Sequence, residues 1–182
     1  MFIFVAKLNM KLILLTLLLI MNNVIVDFDE NTEMNNWNIV NDVVMGGRSS
    51  ARFTLNEDGQ AVFQGHVSLA NNGGFSSVRY RPERIALNGV SKVQIRLKGD
   101  TKKYQLRIKA NAEDYYSYVS NFETTGEWQT ISISLKDMYP RFRGKNLDMT
   151  NFSADYIEEI GFLIGNKKEQ DFKLMIDKIV LQ

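Results

Sequence analysis

The sequence of 182 residues contains no cysteine, one histidine and two prolines. Without cysteine, the chain cannot form a disulfide framework, a thiolate nucleophile, an iron–sulfur cluster or a zinc site that uses thiolate ligands. Its single histidine, His66, cannot supply the two or three imidazoles on which many transition-metal sites depend. The sequence therefore predicts neither a metal site nor a cofactor, and thiol chemistry is excluded.

An excess of one charge is also missing, because 22 Lys and Arg residues are balanced by 21 Asp and Glu residues. A nucleic-acid-binding domain is typically strongly basic, with Lys and Arg clustered on one face. We therefore expect no nucleic-acid partner. The hydrophobic fraction of 45%, which includes 11% aromatic residues, is sufficient for a sizeable core and excludes disorder over most of the chain.

Residues 1–23 differ in composition from the rest of the chain. Lys7 and Lys11 precede an apolar run over residues 12–21, a combination typical of a secretory signal. The run is shorter than the roughly 20 apolar residues of a transmembrane helix, and no pair of small residues marks a cleavage site after it. We expect 1–23 to be a signal-like or membrane-anchoring segment and 24–182 to be one domain, exported or tethered at the cell envelope. The alternative is a cytoplasmic protein with a hydrophobic N-terminal helix.

From residue 24 onward, the hydrophobic pattern has a period of two. In residues 92–98 and 103–110 apolar and polar side chains alternate, which is typical of half-buried strands. Gly99-Asp100-Thr101 lies between them, so we expect the two strands to form an antiparallel hairpin. Less regular runs of the same kind occupy residues 24–28, 51–55, 61–69, 75–80, 115–122, 128–135, 160–164 and 172–181. About ten short strands separated by Gly, Asn and Asp turns predict an all-β sandwich, with one or two helical turns at residues 82–87 and 155–159.

The most unusual stretch is residues 41–50, in which the Gly46-Gly47 pair is followed by Arg48. Backbone amides at the glycines and a guanidinium beside them would suit an anion. The stretch nevertheless lacks the spacing of a P-loop and of a dinucleotide-binding loop. A structural interpretation is also open, in which the glycines form a left-handed turn and Asp42 forms hydrogen bonds with its own backbone.

A second glycine pair, Gly73-Gly74, follows Asn71 and Asn72 and precedes the strand that carries Arg79. Here too, a tight connection between strands is the structural interpretation. If both glycine loops lie at the same end or on the same face of the sandwich, Arg48 and Arg79 would form a polar recognition surface with Asn41, Asn71 and Asn72, since polar side chains are costly to bury without partners. Arg48→Ala and Arg79→Ala should then weaken partner binding without lowering thermal stability.

No pattern of catalytic residues stands out in the sequence. His66 shares a strand face with Gln64 and Ser68, so we expect a solvent-facing or hydrogen-bonded histidine without a nucleophile beside it. The acidic pairs 113–114 and 158–159 consist of neighbours that point to different sides, whereas glycosidases need two carboxyl groups facing one cleft. Five aromatic residues suit either the core or a sugar-stacking platform: Trp37, Tyr115, Tyr116, Tyr118 and Trp128.

Seven ordered blocks carry a resemblance to a known family: residues 37–49, 63–79, 98–104, 122–128, 140–144, 160–164 and 172–179. The first contains Asn41-Asp42-x-Val44-Met45-Gly46-Gly47-Arg48-Ser49, and the second contains Asn71-Asn72-Gly73-Gly74-Phe75-x-Ser77-Val78-Arg79. On these blocks the chain resembles the complex I intermediate-associated protein 30 family from Asp27 to Ile179. The resemblance implies a galactose-binding-domain-like β-sandwich, which is a jelly roll.

Mitochondrial members of this family are assembly chaperones for NADH:ubiquinone oxidoreductase. The resemblance therefore implies a non-enzymatic, protein-binding role as a chaperone or scaffold for the assembly of a multisubunit complex, with no catalytic residue to carry over. The leader differs from a mitochondrial transit peptide and looks like a bacterial export signal, so we expect a bacterial-type member. Two rival functions stay open: a carbohydrate-binding module of the cell envelope and an enzyme with an unrecognised site.

The candidate binding surface combines the two glycine loops with a third motif of the family blocks. Its residues are Asn41, Asp42, Met45, Gly46, Gly47, Arg48, Ser49, Asn71, Asn72, Gly73, Gly74, Arg79, Phe142, Arg143 and Gly144. We expect protein partners at this surface, with carbohydrate as the alternative ligand. Contact with a membrane is expected only through the N-terminal segment.

Overall fold

The computed structural model describes residues 24–182, and the expected signal-like segment, 1–23, lies outside the described residues. The described part is built almost wholly from strands, which are, in chain order, β1 (Val24–Asp27), β2 (Trp37–Asn41), β3 (Ser50–Leu55), β4 (Ala61–Val67), β5 (Ser76–Tyr80), β6 (Ile85–Ala86), β7 (Lys92–Lys98), β8 (Lys103–Lys109), β9 (Ser117–Glu123), β10 (Trp128–Ser134), β11 (Tyr139–Phe142), β12 (Lys145–Asn146), β13 (Tyr156–Ile157), β14 (Glu159–Ile164) and β15 (Gln170–Leu181). Helix in residues 24–182 is limited to 3-10 turns at Asp42–Met45, Ala70–Asn72 and Leu135–Asp137.

The strands form two large antiparallel sheets. One has the order β10-β7-β15-β4-β3, with β1 also paired to β15, and the other has the order β12-β11-β9-β8-β14-β5-β2. Alternate residues of each strand point inward, so the apolar half of each alternating pattern is removed from water between the sheets. The all-β jelly-roll sandwich that the sequence predicts is confirmed.

The core between the sheets contains the inward residues of both. Its largest fully buried side chains include Phe63, Ile95, Tyr104 and Phe162. Trp37 is also buried, with its ring stacked 4.8 Å from the ring of Tyr80 and packed against those of Phe28 and Phe53. Burying such rings is among the larger favourable contributions to folding. Trp37 is therefore a core residue.

The hairpin expected around Gly99-Asp100-Thr101 is wrong. β7 pairs with β10 and β15 in one sheet, whereas β8 pairs with β9 and β14 in the other, so the turn crosses the sandwich. Each strand has one apolar face. Two such faces can be buried either in one sheet or in two sheets that face each other across a core, so alternation alone does not distinguish a hairpin from a crossing. Asp100 fixes the crossing, because its carboxylate accepts hydrogen bonds from the Lys173 amide and the Tyr104 hydroxyl, each at 2.8 Å.

The helical turns expected at residues 82–87 and 155–159 are also wrong. β6 and β13, which fall within these ranges, pair with each other as a small third sheet. The extended pairing buries Ile157 completely. A single isolated helical turn is costly to form, so the strand pair is favoured here. The guanidinium of Arg84 lies 4.1 Å from the centre of the Tyr156 ring and covers the outside of the pair.

Candidate functional site

The two glycine loops meet at one buried carboxylate, that of Asp42, which is 0% exposed. Its Oδ1 accepts a hydrogen bond from the Ser49 amide at 2.9 Å. Its Oδ2 accepts from the Gly74 amide at 2.6 Å, from the Phe75 amide at 3.2 Å and from the Ser49 hydroxyl. We call Asp42, Ser49, Gly74 and Phe75 the Asp42 junction. It ties the segment before β3 to the segment before β5.

The glycines of these loops make room for the Asp42 carboxylate. A Cβ built at Gly47 would overlap that carboxylate, and one built at Gly73 would lie 2.6 Å from its Oδ2. Gly46, with φ of +89°, adopts the left-handed conformation that ends the 3-10 turn Asp42–Met45. The backbone amides that an external anion would use at Ser49 and Gly74 are thus already bonded to an internal anion.

Burial acts to raise the pKa of Asp42, but hydrogen bonds from the Ser49 hydroxyl and the amides of Gly74, Ser49 and Phe75 outweigh it and lower the pKa. The carboxylate is therefore ionised at neutral pH. A carboxylate that accepts several amide hydrogen bonds is stabilised in its charged form even when it is buried.

Other candidate residues of the loops lie around this junction. The Asn71 side-chain amide donates to the Gly46 carbonyl at 3.1 Å, which links the two loops a second time. Asn41 accepts from the Ser76 hydroxyl at 2.6 Å. Arg48 and Asn72 are exposed at the surface of the loops. The structure thus brings the two glycine loops together at one end of the sandwich, and their contact with a partner stays a prediction.

Arg79 and the third motif lie elsewhere. Arg79 is in the middle of β5, on the outer face of the seven-stranded sheet. Phe142, Arg143 and Gly144 lie at the turn between β11 and β12, at the edge of that sheet opposite β2. Arg143 and Gly144 both have positive φ, as a two-residue hairpin turn requires, and the Gly144 carbonyl accepts from Arg141 at 2.9 Å. The candidate surface is therefore divided among three places.

The outer face of the seven-stranded sheet carries a row of side chains in register across six strands. From β2 to β11 the row runs Asn38, Arg79, Gly161, Arg107, Val119 and Tyr139. Arg141 follows Tyr139 by two residues on β11 and therefore points to the same face. We call Arg79, Arg107 and Arg141 the arginine face.

Arg107 is the central and most enclosed member of the arginine face. Burial, together with the positive charges of Arg79 and Arg141, lowers its pKa to about 10, while Glu159 and Tyr139 act in the opposite direction. Its Nε is buried and has no hydrogen-bond partner within residues 24–182. At neutral pH the guanidinium remains charged, so a partly buried cation whose buried Nε has no partner lies in this sheet.

Glu159 is the acidic residue nearest to the arginine face. It is buried, and its carboxylate accepts from Arg81 Nε at 2.8 Å. The Oε1 atom of the same carboxylate lies 4.0 Å from Arg79 Nη1 and 4.0 Å from Lys109 Nζ. Burial lowers the pKa of Lys109, which donates to two backbone carbonyls of the following turn. One carboxylate is thus shared among several cations, and the face keeps a local excess of positive charge.

His66 lies on the outer face of the six-stranded sheet, in a shallow depression of about 530 Å³. Its side chain is 41% exposed, with Nδ1 2.8 Å from Asp171 Oδ1 and Nε2 3.5 Å from Glu169 Oε1. The hydrogen bond to Asp171 raises the pKa of His66, and Glu169 adds to the effect. In the part of the chain that the structure describes, no group of three or more acidic or histidine side chains could hold a metal ion.

The five aromatic residues that suit either the core or a sugar-stacking platform do not form one shared surface. Trp37 is in the core, and Trp128 lies on the six-stranded sheet with the Arg96 guanidinium 5.4 Å from its ring. Tyr115 is exposed and packs at 5.1 Å against Phe142 at the edge of the other sheet. Tyr115, Tyr116 and Tyr118 form a chain of edge-to-face contacts, with ring centres 5.3 and 5.4 Å apart. Across residues 24–182, no helix is long and apolar enough to span a membrane.

Sequence reasoning missed Arg107 and Arg141 as site residues. In the sequence they belong to ordinary alternating strands, where a polar residue predicts only a solvated face. The sheet order that places β5, β14, β8, β9 and β11 side by side converts these separate residues into one face. A strand in which each outward residue is long and polar, as in 103–109, is the one local signal that was available.

Two comparisons place the chain among known proteins. The family described as Complex I intermediate-associated protein 30 matches residues 26–176. Among solved structures, a family 11 carbohydrate-binding module from Clostridium thermocellum, in complex with a β-1,3-1,4-mixed-linked tetrasaccharide, is similar with a TM-score of 0.65 and 19% identity over 87% of this chain and 94% of that chain. An agarase is similar with a TM-score of 0.58 and 13% identity over 87% of this chain and 24% of that chain. These likenesses show the fold.

Proposed function

The chain belongs to the complex I intermediate-associated protein 30 family, and on that basis we propose that it is a non-enzymatic module that binds protein and assists the assembly of a multisubunit complex. The observation that carries this proposal is the extent of the family match, residues 26–176, which takes in both large sheets. An assembly factor must bind its partner through an open surface, and the outer sheet faces of this sandwich are such surfaces.

The arrangement of polar side chains supports binding over catalysis. Glu158 accepts from Arg84 at 2.7 Å, and Glu159 accepts from Arg81 at 2.8 Å, so these neighbouring acids are each committed to an ion pair. His66 is held by carboxylates on its own sheet face. A general acid–base pair needs groups free to exchange protons with a substrate, and these are engaged in structural contacts.

We further propose that residues 1–23 direct the domain to the cell envelope, either as a cleaved signal or as an anchor. The supporting observation is the pair of lysines ahead of the apolar run at 12–21. The experiment that tests both proposals is in vivo crosslinking of the full-length chain carrying a C-terminal tag, followed by cell fractionation and affinity purification. Enrichment of several subunits of one complex from the envelope fraction is expected. Recovery of the chain without such subunits would contradict the proposed function.

A carbohydrate-binding module is the second candidate, favoured by the fold likeness to the family 11 module over 87% of the chain. Affinity electrophoresis in gels containing mixed-linkage β-glucan separates the two functions. An assembly factor should migrate equally with and without the polysaccharide. Retardation that Tyr115→Ala abolishes would favour the second candidate, because Tyr115 is an exposed aromatic residue that could stack on a sugar.

A further inference from the structure

We propose that the arginine face is the part of this module that binds its protein partner, and that it binds the carboxylates of an acidic segment of that partner. This inference rests on the proposed function and adds to it the chemistry of recognition. The arginine face comprises Arg79, Arg107 and Arg141, which come from β5, β8 and β11 of the seven-stranded sheet.

Register places the arginines at spacings that suit several carboxylates. Arg79 and Arg107 are both paired with Gly161, one on each side of β14, so their backbones are about 10 Å apart. Gly161 has no side chain to fill the space between them, and a Cβ there would lie only 3.4 Å from Arg79 Cγ and would overlap the Val78 carbonyl. The Arg79 side chain therefore lies over Gly161, on the side toward Arg107.

Charge gives this space a preference for anions. Residues 24–182 carry one more acidic than basic residue, so the positive arginine face is a local feature and not a general property of the domain. Glu159 is the acid that faces it, at 4.0 Å from Arg79, and that carboxylate is already bonded to Arg81. Arg141 is held in place by hydrogen bonds to the Gly144 carbonyl and the Tyr139 hydroxyl, neither of which is charged.

Arg107 supplies the most direct indication of a ligand. The Arg107 side chain is partly buried, and a buried donor is costly unless it is paired, yet Nε of Arg107 is without an acceptor in the described part of the chain. A planar guanidinium fits a carboxylate with two parallel hydrogen bonds, and the partner's Asp or Glu side chain would complete this arrangement. Loss of water from the face on binding would strengthen the pairing.

An acidic protein segment fits the face better than a sugar does. The row holds a single aromatic residue, Tyr139, whose hydroxyl accepts hydrogen bonds from Asn121 at 2.8 Å and from Arg141 at 3.4 Å. Specific binding to this face therefore depends on charge and hydrogen bonding. An acidic polysaccharide offers carboxylates as well, and the experiment below tells the two macromolecules apart.

Isothermal titration of the full chain with a synthetic peptide of alternating Glu and Gly tests the site, with a Gln-Gly peptide as the neutral reference. Arg107→Gln should weaken binding of the acidic peptide at least tenfold, because a charge-assisted hydrogen-bonded pair is lost. The matched control is Arg96→Gln, which removes the same charge from the outer face of the six-stranded sheet. It should change the dissociation constant less than twofold.

Thermal unfolding distinguishes a binding arginine from a structural one. The melting temperature of Arg107→Gln should equal or exceed that of the wild type. The substitution removes a positive charge together with its buried, unpaired Nε donor. Arg107→Lys, which keeps the charge and loses the planar fork, should bind the peptide with intermediate affinity. Equal weakening by Arg107→Gln and Arg96→Gln, or binding of oligogalacturonate with no binding of the peptide, would overturn the inference.

Crosslinking of the full chain and of its Arg107→Gln variant separates this inference from the proposed function. If the wild type captures the subunits of a complex and Arg107→Gln captures much less of them, both stand. Equal capture by the two proteins would overturn the arginine face as the site and leave the function intact. If neither captures subunits, the proposed function fails, and the inference fails with it because no protein partner is left for the site to bind.

Discussion

Asp42 and Arg107 carry two charges of this sandwich, one fully and one partly buried, that differ in how they are paired. Asp42, at the junction of the glycine loops, accepts hydrogen bonds from Ser49, Gly74 and Phe75 and has its charged form stabilised by them. Arg107, in the middle of a sheet, keeps an unpaired Nε and lies beside two further arginines. A buried charge whose hydrogen bonds are complete within the chain stabilises the fold. One whose hydrogen bonds are incomplete has capacity left for a ligand.

The glycine loops and the arginine face also differ in how easily the sequence identifies them. The glycine loops attract attention because Gly-Gly pairs beside Asn, Asp and Arg are rare, and their residues serve mainly to accommodate the Asp42 carboxylate. The arginine face is spread over three alternating strands that look ordinary. Packing thus explains an unusual motif. The proposed binding face, in contrast, consists of common residues that the sheet order brings together.

The largest effect that would sharpen the comparison is expected for Asp42→Asn. The substitution removes the charge and points an amide group toward backbone donors, leaving buried N–H groups unpaired, so we expect a loss of about 3 kcal/mol or more in the free energy of unfolding. Urea denaturation measures it. Asp171→Asn, an exposed carboxylate, is the control and should change stability much less.

The pH dependence of that loss follows from the pKa of Asp42. Because the folded-state pKa lies below the ordinary value of 3.8, the stabilisation is present above pH 3.8 and is lost as the pH falls through the lowered value. The difference between wild type and Asp42→Asn should therefore be constant from neutral pH down to about pH 5 and should shrink in stronger acid. A difference that grows in acid would contradict the role given to the Asp42 carboxylate.

A smaller effect is expected for Glu159→Gln, because Glu159 is a buried charge that is paired with a partly exposed arginine. It breaks the 2.8 Å pair with Arg81 and leaves Lys109 without its nearest carboxylate. We expect a loss of about 2 kcal/mol, less than for a fully enclosed pair because Arg81 is half exposed. The acidic peptide should bind more tightly, since an internal competitor has been removed. Weaker peptide binding would instead show that Glu159 positions the arginines.

The smallest effect is expected at His66, on the outer face of the other sheet. The folded-state pKa of His66 lies above 6.5, so its ion pairs with Asp171 and Glu169 stabilise the fold fully below pH 6.5 and are lost as the pH rises through the raised value. His66→Gln should therefore lower the melting temperature slightly at about pH 5.5 and leave it unchanged at about pH 8.5. A deficit at both pH values would mean that packing, and not charge, is lost.

Most of the fold was predictable because the period of two is a local property. Residues 61–67, 76–80 and 128–134 all lie within runs that the alternation identifies. The partner of a strand is not local, which is why the turn at Gly99-Asp100-Thr101 was assigned to a hairpin although it crosses the sandwich. Its direction is set by Asp100 bonding to Lys173, a residue far away in the sequence.

The sequence predicts individual residues of the candidate site but not the contacts between residues that are distant in the chain. The sequence leaves open whether the two glycine loops share one end of the sandwich. They meet because Asp42 contacts Gly74 and Phe75, and spacing does not reveal that contact. Arg79 was singled out with Arg48, yet the charged residues that influence it are those of neighbouring strands. Only the strand order places Arg107 beside it.

The central claim is that Asp42, which is fully buried, and Arg107, which is partly buried, have opposite roles, one structural and one for binding. The measurement that tests it most directly is the free energy of unfolding of Arg107→Gln, determined in urea beside wild type and Asp42→Asn. We expect Arg107→Gln to be at least as stable as wild type, because it removes a partly buried cation whose buried Nε is unpaired. A loss of about 3 kcal/mol, similar to that of Asp42→Asn, would show that Arg107 is structural and would contradict the account.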